Sequence, residues 1–376
     1  MKPANKTRIF VDAHVFDSEY QGTRTFIREI YLLLAGKPDL ELYLAAFDIQ
    51  NLKKEFKDND SIVFVPYRNK SSVSRLLFEL PRLLTKLEID IAHFQYIVPP
   101  IKNARYLVTT HDVIFNEFPE EFSLKYRYSK NFLFGYSAKR SDILTTVSHY
   151  SERSIRKFLK IRNKPISVIP NGVSKRFFES FDKTAAEEYI LNNYGVSRFV
   201  LYVSRFEPRK NHVLVLQSFL DLGLFAKGFQ LVLLGHRSLE VPGFDTLYNS
   251  LPPTVQSCIF INSRINDKDL LEFYRAAQVF VYPSKAEGFG IPPLEAGALK
   301  IPVLCSNASA MSDFTFFGEN HFDPTNQAEF NNKLARAIDA GTTDPNLESI
   351  SNTIREQYSW QSSAQKLYEL IKQASV

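Results

Sequence analysis

Glu287 and Glu295 bracket the run Gly288-Phe-Gly-Ile-Pro-Pro-Leu294. The apolar run Gln278-Val-Phe-Val-Tyr-Pro283 before it reads as a buried strand, and Pro292 and Pro293 suit a first helical turn, where a missing N–H costs nothing. Strand, tight loop and helix start therefore follow one another. Such a start offers unpaired N–H groups and a positive dipole end, and Gly288 and Gly290 let a ligand approach the backbone, so the pattern suits an anion. Carboxylates accept hydrogen bonds from hydroxyls, so Glu287 and Glu295 could each grip a polyol on either side of that anion. On these nine residues alone a plainer reading stays open: Glu295 complements the helix dipole and Glu287 is solvated.

Other residues could act with this motif. Ser204-Arg-Phe-Glu-Pro-Arg-Lys-Asn211 follows an apolar run and carries cations suited to a diphosphate; across its proline, Arg205 and Lys210 can turn to one ligand, with Arg209 read as pointing away to the surface. Thr109-Thr-His-Asp112 puts His111 at a strand end, where it could donate to a sugar hydroxyl or serve as a structural histidine. Gln21-Gly-Thr23 offers a glycine, Gly22, at a second helix start, suited to phosphate or simply to a cap.

These residues need strand ends to hold them, and the chain supplies many. Ile9–Val11, Leu42–Leu44, Ile62–Val65, Ile89–Ile91, Tyr106–Val108, Ile143–Thr145 and Ile166–Ile169 form one series of strand-like runs. Phe199–Val203, Leu231–Leu234, Ile259–Ile261, Val279–Val281 and Pro302–Leu304 form a second. Helical patterns lie between, such as Thr23–Leu34 with its stripe of Phe26, Ile27, Ile30, Leu33 and Leu34. The alternation predicts an α/β protein with two Rossmann-like, doubly wound parallel sheets. The turn at Pro170-Asn-Gly172 and the strand at Phe199 bracket the boundary, taken as residues 1–178 and 179–359, with a terminal helix over 360–376. Ligands would sit beyond the strands' carboxyl ends, in a cleft between facing domains.

Composition narrows the class. At 376 residues, 44% hydrophobic and 23% charged, the chain is long enough for two globular domains. No apolar run reaches a membrane span and the start does not resemble a signal peptide, so a cytosolic protein is expected. Cys258 and Cys305 stand in apolar surroundings without metal-ligand spacing, which predicts buried thiols and neither disulfide nor zinc. Residues 1–190 hold 30 Lys and Arg against 23 Asp and Glu, hence +7, while the remaining 16 and 18 give −2. The basic half suggests an anionic surface as partner, phospholipid or nucleic acid. Asp58-Asn-Asp60 and Asp267-Lys-Asp269 read as a charged loop and a cap for a helix beginning at Leu270, not as metal ligands. No P-loop, Gly-x-Ser-x-Gly elbow or HExxH is present.

Taken together, Glu287-x7-Glu295, the Ser-Arg-x4-Lys loop at 204–210, Thr-x-His-Asp at 109–112, Thr-Thr-Val-Ser at 145–148 and Val-Ile-Pro-Asn-Gly-Val at 168–173 resemble the retaining glycosyltransferases of family 4. The resemblance spans both halves of the chain. It implies the GT-B fold, two facing Rossmann-like domains, with the last helix, here Trp360 to Ile371, returning to the first. It implies that Arg205 and Lys210 bind the diphosphate of a nucleotide sugar, GDP- or UDP-linked. Glu287 and the backbone of Gly288, Phe289, Gly290 and Ile291 would hold the transferred sugar, and Glu295, beside Leu294, the ribose. Backbone near Arg264 would meet the base, His111 the sugar near its reacting face, and Gly22 the phosphates. Two departures stand out: Ser204 where relatives often have glycine, and a single glycine at Gly22 where many have two.

Cations and a helix terminus would stabilise charge developing on the leaving diphosphate, so the resemblance implies transfer with retention, without metal or cofactor and without an obligatory protein nucleophile. It also implies a hexose, mannose-like favoured, moved to a glycan or lipid-linked acceptor held by the first domain in polysaccharide biosynthesis. Two segments there could touch an anionic membrane at the inner face of the cell: the stripe Val73, Leu76, Leu77, Leu80, Leu83, Leu84, and Lys125-Tyr-Arg-Tyr-Ser-Lys130 with Asn131–Tyr136. Core-facing amphipathic helices are the preferred, plainer reading of both. The rivals are a GT-B epimerase or phosphorylase, for which no acid–base set or pyridoxal-phosphate lysine is recognisable, a non-enzymatic nucleic-acid binder, which leaves Glu287 and Glu295 without purpose, and a catalytically silent scaffold, against which the intact cationic loop and carboxylates argue. Nucleic acid is therefore not an expected partner.

Overall fold

The computed structural model describes residues 6–17, 22–341 and 345–375. Gln21 of the Gln-Gly-Thr motif lies outside them. The chain forms two compact units, one of Met1–Gly172 with Trp360–Val376 and the other of Val173–Ser359, so the division lies at Gly172 and Val173 against 178 and 179 in the sequence reading.

The first unit carries strands β1 (Thr7–Asp12), β2 (Leu40–Ala46), β3 (Ile62–Pro66), β4 (Ile91–Gln95), β5 (Arg105–Thr109), β6 (Ile143–Thr146) and β7 (Ser167–Val168) in a parallel sheet of order β3-β2-β1-β4-β5-β6-β7. The second carries β8 (Phe199–Val203), β9 (Gln230–Leu234), β10 (Ile259–Asn262), β11 (Val279–Tyr282), β12 (Val303–Ser306) and β13 (His321–Phe322) in the order β10-β9-β8-β11-β12-β13. Central strands such as β4 and β11 are buried at every position, the pattern of parallel sheets covered on both faces. Strand order reverses at β1 and β4 in one unit and at β8 and β11 in the other. Crevices open beyond strand ends at such points.

Six helices matter below: α1 (Gly22–Leu34), α2 (Leu80–Lys86), α3 (Leu124–Arg140), α4 (Asp267–Ala276), α5 (Ile291–Ala298) and α6 (Trp360–Ser375). In α1, Phe26, Ile27, Ile30, Tyr31 and Leu34 form the buried stripe, while Leu33, read into that stripe from sequence, is 36% exposed. Helix α6 belongs to the first unit: the Ser363 hydroxyl donates to the Pro170 carbonyl at 2.6 Å, and Lys372 pairs with Asp39 at 2.8 Å. Helix α4 starts earlier than the sequence reading has it. Asn266 is its cap, and Asp267 and Asp269 lie inside the first turn, because the Asn266 side chain already accepts from the Asp269 N–H. The Ile89–Ile91 run gives way to a strand beginning only at Ile91, with Glu88 just before it in a left-handed turn. Both cysteines are free, Cys305 buried and Cys258 only partly so.

Candidate functional site

In the second unit, adjacent strands β8 and β11 deliver the loops 204–211 and 283–290 to the same sheet end. The second loop enters α5 through Gly290, which caps the helix at φ 98° and ψ 72°, a left-handed conformation that favours glycine; Pro292 and Pro293 follow in the first turn. The first loop is pressed against the turn after β9. A Cβ on Gly235 would lie 2.0 Å from the Ser204 carbonyl oxygen, so only glycine permits that approach.

Between the two loops sits a buried charge network. The Lys210 ammonium donates to one oxygen of Glu287, which also accepts from the Tyr282 hydroxyl at 2.8 Å. Arg209 reaches the other Glu287 oxygen at 3.4 Å and the Ala286 carbonyl at 2.5 Å, and its other terminal nitrogen pairs with Glu207 at 2.5 Å. Burial alone would raise the Glu287 carboxyl, but Lys210 and Arg209 hold it down at about 2, so it is ionised near neutrality. Burial lowers the Lys210 ammonium despite Glu287 beside it. The Tyr202 hydroxyl fixes the Lys210 carbonyl at 2.6 Å, and the Ser309 hydroxyl receives the Glu287 N–H at 2.8 Å.

This arrangement corrects the expected roles of the arginines. Arg209 does not point away: its side chain is 11% exposed and it ties Glu207 to Glu287. Arg205 is the outer one, half-exposed and 3.2 Å from Glu207. The short helical turn Pro208–Lys210 is the reason, since it carries both Arg209 and Lys210 inward together. Glu287, read as a hydroxyl binder, has both carboxylate oxygens engaged by its own chain.

Glu295 lies on α5, half-buried, and accepts from the Tyr274 hydroxyl at 2.9 Å. Burial raises its carboxyl to about 7, against the lowering pull of Tyr274 and Arg176. Leu294 is fully buried, and the Phe289 ring packs on Phe314 and Tyr358 at 5.7 and 5.9 Å, so neither side chain stands open to a ligand. Gly288 is buried in the same turn, and Ile291 half-buried at the first position of α5. Arg264 is exposed just beyond β10, its N–H held by the Asn262 side chain at 2.8 Å. Gly22, the first residue of α1, is exposed, with nothing within 4 Å of where a Cβ would stand.

The first unit presents a neutral counterpart. His111, in the loop after β5, is 7% exposed, and its Nε2 lies 2.7 Å from the Gln95 amide. The other end of that amide lies 3.0 Å from His93, whose ring also meets Thr109 and Tyr31 at 2.7 and 2.6 Å. Burial lowers both imidazoles to about 3, so they are uncharged near neutrality. Residue type and spacing point to His111 but not to His93, Gln95, Glu207 or Tyr282. The signal was available for two of them: His93 and Gln95 are polar residues two apart, on one face of an otherwise apolar strand. Beyond the ends of β1, β2 and β3 a cavity of about 750 Å³ is lined by His14, Asp17, Tyr67, Asn69, Lys70 and Arg75, among others. Among the described residues there is no group of three or more His, Cys, Asp or Glu placed to hold a metal ion.

Comparison with known proteins follows the same two halves. The family model described as Glycosyltransferase Family 4 matches residues 25–177, and that described as Glycosyl transferases group 1 matches residues 185–357. An O-antigen chain mannosyltransferase B of Escherichia coli is 30% identical over 220 residues, 57% of this chain and 56% of that protein. An O-antigen chain mannosyltransferase of Salmonella typhimurium is 26% identical over 64% of this chain and 62% of its own length. The matched stretch thus spans less than two thirds of either relative. Among solved structures, the Anabaena protein HepE in complex with UDP-glucose superposes with a TM-score of 0.74 at 15% identity, covering 98% of this chain and 99% of that one.

Proposed function

We propose that this chain, which has the GT-B fold and belongs to the glycosyltransferases of family 4 and group 1, moves a hexose, mannose favoured, from a GDP- or UDP-linked donor to a glycan or lipid-linked glycan in polysaccharide assembly. The observation that carries the reading is the buried network of Lys210, Arg209 and Glu287 where the β8 and β11 loops meet the start of α5. The mannosyltransferase names of the two relatives support the sugar, and the UDP-glucose held by HepE supports a nucleotide-sugar donor.

In this mechanism Lys210, with Arg205 at the rim, meets the diphosphate. Glu287 holds the Lys210 ammonium aimed and charged, which makes it a positioning residue as well as the expected neighbour of the sugar. Departure of the diphosphate leaves negative charge on its oxygens and an oxocarbenium-like sugar, and fixed cations beside a helix N-terminus lower the cost of that charge. Each such donor is typically worth roughly 2.7–4 kcal/mol of barrier. The backbone from Gly288 to Ile291 turns the helix start toward the ligand, Glu295 takes ribose hydroxyls, and the base lies at the backbone near Arg264. His111, neutral, hydrogen-bonds the transferred sugar. The leaving phosphate accepts the acceptor's proton on the same face, giving retention without a metal ion. The cavity beyond β1–β3, with carboxylate, amide, imidazole and aromatic groups, suits a glycan acceptor.

The test is a donor screen with purified protein in a chelator, following release of nucleoside diphosphate from GDP-mannose, UDP-glucose and related sugars. Release from at least one donor, with the product's anomeric configuration retained, is expected. No release and no binding of any nucleoside diphosphate would overturn the reading.

A further inference from the structure

Helix α3 has two apolar faces. Its inner face buries Phe134, Ser137 and Ala138, and Phe134 stacks on Tyr96 with ring centroids 4.7 Å apart. Its outer face carries Leu124, Tyr128, Phe132 and Tyr136 at 65%, 73%, 72% and 36% exposure. These four recur every fourth residue, a stripe of about 18 Å along the helix. The core explains the first face and leaves the second without a partner. An amphipathic helix serving only the core would carry polar residues here.

Charge gives the occupant a chemistry. Helix α3 holds Lys125, Arg127, Lys130, Lys139 and Arg140 and no acidic residue. Lys125, Lys139 and Arg140 are exposed beside the stripe. The acids nearest in sequence are Glu120 and Glu121 before the helix and Asp142 after it, and Asp142 is paired with Lys102 at 2.7 Å. The surface continues past the end of α3: the Tyr136 hydroxyl lies 3.5 Å from the Pro100 carbonyl, Ile101 is 54% exposed, and Asn103 donates to Pro81 and Thr85 of α2, on which Arg82 and Lys86 are exposed.

We infer that this face, aromatic and aliphatic side chains set among exposed cations, docks on an anionic lipid surface. Aromatic rings settle at the level of the headgroups, apolar side chains enter the acyl boundary, and lysines bind anionic headgroups. None of the described helices is long and apolar enough to cross a membrane, so the contact is peripheral. Docking through α3 has a consequence for the proposed reaction. Tyr96, stacked on the inner face, lies 5.5 Å from the His111 ring, so one helix diameter, about 10 Å, separates lipid from the residues around His111. An acceptor carried on a lipid would be presented at that distance. This consequence rests on the glycosyltransferase reading; the docking itself does not.

The experiment is flotation of the full chain with vesicles of phosphatidylcholine mixed with phosphatidylglycerol, and with phosphatidylcholine alone, at low and high salt. Binding to the mixed vesicles that weakens with salt, and much weaker binding to phosphatidylcholine alone, is expected. Lys125→Glu with Lys139→Glu should lower the partition at least about tenfold. Tyr128→Ser with Phe132→Ser should do so to a similar degree. Both double variants should keep the parent's thermal midpoint and nucleoside-diphosphate binding, because these side chains are exposed. Absence of binding to the mixed vesicles, or binding undiminished in both variants, overturns the inference. So does a dimer in sedimentation velocity that Tyr128→Ser with Phe132→Ser converts to monomer, since a second copy would then cover the face. Failure of donor turnover with vesicle binding intact would strike the glycosyltransferase reading alone.

Discussion

The polar cluster around Glu287 in the second unit is built from charges, and the one around His111 in the first from neutral groups. Lys210, Arg209, Glu207 and Glu287 are buried ions that offset one another, whereas Tyr31, His93, Gln95 and His111 form a buried chain of uncharged hydrogen bonds. The difference follows from what each is proposed to meet. A diphosphate needs cations already desolvated and held in place, and burying cations is tolerable only with carboxylates beside them. A sugar hydroxyl needs direction more than charge, and a neutral imidazole whose other nitrogen is held supplies it.

The comparison breaks most visibly at Lys210. Lys210→Met should cut turnover by about 10²–10³ and cost about 3 kcal/mol of stability, because Glu287 stays buried with one partner fewer. Lys210→Met with Glu287→Leu should recover most of that stability in a urea titration and none of the turnover. Recovery of both would place the pair in the scaffold and not in the chemistry.

The two arginines sharpen it next. Arg209→Ala should lower stability by roughly 1.5–3 kcal/mol along with activity, since it leaves the buried Glu207 with only the half-exposed Arg205 and removes one of the cations beside Glu287. Arg205→Ala should shift stability by no more than about 0.5 kcal/mol while raising the KM for donor. In the neutral centre, Gln95→Leu removes a bond from both imidazoles and should cost about 1–3 kcal/mol, with a loss of turnover well short of that at Lys210. The smallest effect concerns pH. Burial raises Glu295 from 4.5 to about 7, so folding disfavours its charged form and its contribution to stability declines as pH rises through about 7. Ribose hydroxyls prefer the carboxylate, so nucleoside-diphosphate affinity should increase over the same range, and Glu295→Gln should flatten that increase in a calorimetric titration.

Much of the fold was legible in the sequence, because strands buried on both faces are nearly continuous apolar runs and each run ends at a turn signal. The two-residue strand β13 carries no such pattern and was not found. In the site, the loop containing Lys210 and the motif from Glu287 to Glu295 were readable from residue type and spacing. The inward turn of Arg209 was not, since it depends on a single turn of helix after Pro208. The sequence favours a core-facing α3, and half of it is; its second apolar face shows only when the burial of each position is known.

The central claim is that the β8 and β11 loops of the second unit bind a nucleoside diphosphate through Lys210. Calorimetric titration of GDP and of UDP in chelator, into the parent and into Lys210→Met with Glu287→Leu, tests it directly. Binding of at least one nucleotide by the parent, lost in a double variant that remains folded, is the predicted result. Equal binding by both proteins, or none by the parent, would contradict it.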